Sequence, residues 1–136
     1  MPRVYVVHEP LKRETDPVTG VTDWVRTRDV TVAREFGELA YVFPAGRLAQ
    51  DSDYLVRTAR EKLRDFSGED YLLLSGDTAA IAIAAIVAGQ QLEDDENHLN
   101  LLLWDGRLHR YYAMRTEVWQ AEEALVSPAP DLNGRR

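Results

Sequence analysis

At 136 residues the chain has the size of one domain, long enough to bury about two thirds of the surface that its unfolded form exposes. An apolar share of 45% beside 29% charged residues argues against disorder along most of the chain, and the absence of cysteine excludes disulfides, thiolate catalysis and cysteine-ligated zinc or iron–sulfur sites. The net charge of −7 lies wholly in the second half: residues 1–68 hold 11 Lys and Arg against 11 Asp and Glu, whereas residues 69–136 hold 5 against 12. That balance disfavours a nucleic-acid backbone and suits either a basic protein partner or plain solubility.

The opening "MPRVYVVHEPLKRE" has an apolar run too short for a secretory leader, and "RVYVVH" (3–8) reads as a first strand that stops at Glu9-Pro10. "LKRETDPVTGVTDWVRTRD" carries Asp-Pro and Thr-Gly turn signals without a sustained apolar period, so it reads as an excursion with an exposed hairpin across Gly20. "TVAREFG" predicts a short helix with Thr31 as its N-cap and Gly37 just past its end. "ELAYVF" (38–43) is a second strand, closed by Pro44-Ala45-Gly46.

In "DSDYLVRTAREKLRDF" the residues Leu55, Val56, Ala59, Leu63 and Phe66 share one face at helical spacing, which predicts a helix over 52–66. "DYLLLS" (70–75) is apolar throughout and predicts a central strand covered on both sides. From Thr78 to Ala88 alanine or isoleucine occurs on every side, predicting a deeply packed helix; the apolar run to Gly89 is well below the roughly 18 residues of a membrane span. "EDDE" (93–96) is a solvated link, and "HLNLLLW", Asp105-Gly106 and "RLHRYYAM" form a hairpin turning at that Asp-Gly pair. Residues 121–136 form a tail, partly helical before Pro128 and then flexible. The expected architecture is one α/β domain over 1–120: a mainly parallel sheet with helical crossovers and a C-terminal antiparallel β-hairpin.

Three groups of residues are candidates for function. Ser75, Gly76, Asp77 and Thr78 lie where a central strand hands over to a buried helix, the place where open α/β sheets bind ligands, and His8 at the end of the first strand is a plausible neighbour. The same residues also make a good helix cap, Asp77 puts a negative charge where an anion would sit, and neither GxGxxG nor GxxxxGK[ST] occurs. The second group is Arg107, His109, Tyr111 and Arg115 on one hairpin face, near Trp104, Arg110 and Tyr112, with Glu93, Asp94, Asp95 and Glu96 as an acidic companion surface. Interleaved arginine and aromatic residues suit stacking on bases, but the acidic tract and the net charge work against nucleic acid and favour the reading that they protect an edge strand. The third group is the histidines: His8, His98 and His109 have no metal-ligand spacing, although His8 and His98 lie at opposite ends of different strands, within reach of Glu9 or Asp77 in some folds. "SGDTA" is not a nucleophile elbow, and no triad is legible. No catalytic residue, cofactor or metal is expected.

The order "VYVVHEP", a Thr-Gly segment, "FGELAYVFPAG", "REKLRDFSGEDYLLLSGDTAAIAIAAIVA" and "LNLLLWDGRLHRYY", spanning most of residues 3–113, resembles a family of small tailed-phage and prophage proteins of unknown function. Those motifs are turns and strands, so no functional residue carries over by position. The resemblance implies a mobile-element context and a cytoplasmic location in a bacterial host cell. The expected function is therefore that of a phage-type accessory protein that binds a host or phage protein without catalysis. The alternative is a small nucleotide- or phosphate-binding protein that uses the Ser75–Thr78 turn.

Overall fold

Val4, Tyr5, Val6 and Val7 are all buried, and they alternate between two cores because successive side chains of a strand point to opposite faces. A computed structural model describes residues 1–26 and 29–119, so the reading of the tail at 121–136 lies outside the described residues. The elements are β1 (Arg3–Val6), β2 (Leu11–Thr15), β3 (Thr22–Arg26), a 3₁₀ helix (Val30–Phe36), β4 (Glu38–Tyr41), α1 (Ser52–Lys62), β5 (Tyr71–Leu73), α2 (Thr78–Gln90), β6 (His98–Asp105) and β7 (Arg110–Glu117). Among the described residues no helix is long and apolar enough to cross a membrane.

The main sheet has five strands in the order β4-β1-β5-β6-β7, parallel except for the β6–β7 pair. The "DYLLLS" segment therefore does supply the central strand, with Leu72 and Leu73 fully buried toward opposite faces. From β1 the chain steps outward to β4, whereas from β4 to β5 and from β5 to β6 it steps the other way. Crossovers of one hand must then cover opposite faces. Accordingly α1 and α2 pack on Tyr5, Val7 and Leu72, and the 3₁₀ helix packs on Val4, Val6 and Leu73.

Three local readings are corrected. The helix at 30–36 is 3₁₀, and its cap is Asp29 in place of Thr31: the Asp29 carboxylate accepts from Thr31 N at 3.0 Å and Thr31 Oγ1 at 2.6 Å. In a 3₁₀ helix residues i and i+3 eclipse, and Val30, Ala33 and Phe36 form that stripe against the sheet. The β6–β7 turn has four residues, Gly106 to His109, in place of a two-residue Asp-Gly turn. Asp105 Oδ1 accepts from Arg107 N (2.9 Å) and Leu108 N (3.3 Å), and His109 takes the left-handed conformation at φ 51° that reverses the chain. The longer loop puts Tyr111 opposite Trp104, in the core beside Leu102; a two-residue turn would have put His109 opposite Leu102 instead.

The third correction concerns α2, which is not buried all round. Ala80, Ala84, Val87 and Ala88 form the packed stripe, while Ile86 is 62% exposed because the helix covers β5 and β6 and leaves its outer side open.

Candidate functional site: the cleft at the carboxyl end of the sheet

Adjacent strands β1 and β5 send their connections to opposite faces of the sheet, so their carboxyl ends bound a crevice at a topological switch point. Its floor is built from "VHEP" and "LSGD". Ser75 Oγ donates to His8 O at 2.8 Å, and Gly76 turns the chain at φ +94°. A Cβ on Gly76 would lie 2.3 Å from His8 Nδ1, so both the backbone angle and the approach of the ring require glycine. Asp77 N then donates to His8 Nδ1 at 2.9 Å, while Nε2–H of His8 donates to Gly46 O. These two bonds set the neutral tautomer with its proton on Nε2 and tie β1 to both the β4–α1 loop and the start of α2. Asp77 Oδ2 accepts from Ala80 N at 3.0 Å as an N-cap, and its Oδ1 accepts from Gln50 Nε2 at 3.1 Å.

The structure thus brings His8 together with Ser75, Gly76 and Asp77, as the turn reading expects, and engages their polar groups with one another. Thr78 is exposed at the first position of α2. His98 is at the amino end of β6, the far end of the sheet from His8, and its Nδ1 accepts from Arg115 Nη2 at 3.1 Å. His8 and His98 therefore do not approach each other.

The walls of the crevice come from elsewhere. Leaving β1 at Pro10, the chain forms a two-stranded arm, β2 and β3, that pairs with itself and with no strand of the main sheet. Arg13 and Trp24 are cross-strand partners on the arm, with the guanidinium 5.9 Å from the indole centre. Together with Arg47, Leu48 and Gln50 of the β4–α1 loop, they line a cleft of about 1000 Å³ that has His8, Gly76 and Asp77 at its base. A smaller cavity of about 340 Å³ adjoins it at Gly76 and Pro10, bounded by the buried Glu9 and Val30 and the half-buried Ile81. Sequence reasoning missed Arg13, Trp24, Arg47 and Gln50; the one available signal was that the excursion leaves directly from the end of β1.

The hairpin and the acidic tract do not form one surface. Glu93 to Glu96 precede β6 at the amino end of the sheet, whereas Arg107 and His109 are in the turn beyond its carboxyl end, so the eight residues of β6 separate them by about 26 Å. Tyr111 is 2% exposed and packs edge-on against Trp104 at 5.0 Å, so it belongs to the core and lines no interaction surface. Glu96 is likewise tied to the fold: Oε2 accepts from Gly68 N and Oε1 from Glu93 N, both at 2.9 Å. Glu93, Asp94, Asp95, Arg107 and His109 are exposed. Among the described residues no three acidic or histidine side chains are grouped to hold a metal ion.

Residues 2–118, nearly the whole described chain, match the family model of the Phage Pam3 gp32-like protein. The chain belongs to that family. No curated protein and no solved structure matches it. Membership makes this a phage-family protein and covers the arm, the switch-point floor and both helices within one family unit.

Proposed function

We propose that this phage protein acts inside the bacterial host cell as an accessory factor that binds a host or phage protein without catalysis, and that the β2–β3 arm is the element it presents. The observation that carries this reading is the tip of the arm: Val18 is 89% exposed and Val21 54%, on a hairpin that contributes nothing to the main sheet. Apolar groups held out in water gain about 25 cal/mol for each Å² that a partner covers. Support also comes from the cleft floor, where Ser75, His8 and Asp77 are bonded within the fold and form no nucleophile–base pair. The same bonding weakens the reading of Ser75 to Thr78 as a phosphate loop, since the anion position at the start of α2 already holds the Asp77 carboxylate.

Affinity capture from a bacterial host lysate tests the proposal. The parent should retain a specific protein that Val18→Asp/Val21→Asp loses and that Glu93→Gln/Asp94→Asn/Asp95→Asn keeps. Equal capture by the arm variant, or no specific protein at low salt, contradicts it.

A further inference from the structure

We propose that the large cleft binds a nucleoside phosphate, with the anion held between Arg13 and Arg47 and the base laid on Trp24. The inference stands independently of the protein partner proposed above, because it rests on the walls of the cleft and makes no use of the arm's tip.

Four observations converge. Arg13 and Arg47 are exposed and make no ion pair among the described residues, although the cleft brings them together from two different elements. Guanidinium groups recognise phosphate through paired N–H donors, and neither arginine has an ion pair to break when it turns toward one, while Arg13 lies over the Trp24 ring at 5.9 Å and so stands next to the proposed base. Second, the cleft opposes the charge of the whole molecule: in a chain of net charge −7 its lining holds two arginines against one carboxylate, Asp77, whose oxygens are already bonded to Ala80 N and Gln50. Local positive charge in a recess concentrates anions there.

Third, Trp24 is 63% exposed, leaving ring surface open beside the arginines, and every nucleobase offers a flat face to such a ring. Fourth, the cleft lies at the switch point of an open, mostly parallel sheet, and its volume of about 1000 Å³ is at the upper end of the range for small-molecule sites. Asp77 decides where in the cleft the phosphate goes. A carboxylate at the start of α2 repels it from the helix end and leaves the mouth, between Arg13 and Arg47, as its place. An acidic peptide without aromatic residues would meet the arginines but would have no ring to lay on Trp24.

Titration of the full chain with AMP, pyrophosphate and triaspartate, followed by calorimetry and tryptophan fluorescence, tests the inference. AMP should bind with an affinity that falls as salt rises, and should quench fluorescence. Arg13→Gln/Arg47→Gln should weaken AMP at least tenfold. Trp24→Leu should abolish the quench and weaken AMP several-fold while leaving pyrophosphate unchanged. Asp77→Asn, which keeps an N-cap and removes the like charge, should tighten AMP several-fold. No heat or quench at millimolar AMP, equal AMP affinity in the double arginine variant, or triaspartate bound as tightly as AMP would each overturn it. The arginines and Trp24 are exposed, so an unchanged melting temperature verifies that these variants fold.

Discussion

The two ends of the sheet use polar side chains in opposite ways. At the amino end Asp70 is 5% exposed and accepts from Arg3 N and Ser67 N at 2.9 Å and from Ser67 Oγ at 3.3 Å. Glu96 holds Gly68 N, and Asn100 Nδ2 donates to Gly68 O at 2.9 Å and Asp70 O at 3.2 Å. Side chains there replace the hydrogen bonds that the ending ladder no longer supplies. The carboxyl end has the same kind of lock in its floor, through His8, Ser75 and Asp77, but adds walls whose arginines make no ion pair among the described residues, Arg13 lying only over the Trp24 ring. Groups committed to backbone maintain the structure, and those left over are available to a ligand. That contrast separates a site from a well-made strand end.

If the contrast is right, substitutions of committed groups should cost stability in proportion to what they strand. The largest loss is expected for Gly76→Ala, where a Cβ must displace the His8 ring and hold φ +94°: on the order of 2–4 kcal/mol by urea denaturation. A change below about 0.5 kcal/mol would show that the floor yields freely. Asp70→Ala should cost about 1–3 kcal/mol, since two part-buried backbone donors lose their acceptor, and amide exchange at Arg3 and Ser67 should accelerate together. Exchange that speeds up only at Ser67 would mean that β1 and β5 are not locked by this residue. Smallest is Asp77→Ala, a cap-sized loss of about 1 kcal/mol in thermal unfolding, with fraying confined to the first turn of α2.

Much of the frame was legible because it follows from periodicity. "DYLLLS" is apolar throughout since β5 is covered on both faces, and the α1 stripe shows helical spacing because one side meets the sheet. The cap role of Asp77 was readable from local chemistry alone. The site was not, because its walls join residues 13, 24 and 47 through tertiary placement of an arm whose sequence has no sustained apolar period. The four-residue hairpin turn escaped for a related reason. Asp105-Gly106 has the composition of a tight turn, and the register was decided by burial of Tyr111, a contact outside the turn.

Urea unfolding of Arg13→Gln/Trp24→Leu/Arg47→Gln without ligand shows whether the cleft walls are surplus to the fold. Because these side chains are exposed, the triple variant should unfold within about 0.5 kcal/mol of the parent, with the same dependence on urea. A loss of about 2 kcal/mol or more would make the cleft walls part of the structural framework, and the distinction between the two ends of the sheet would fail.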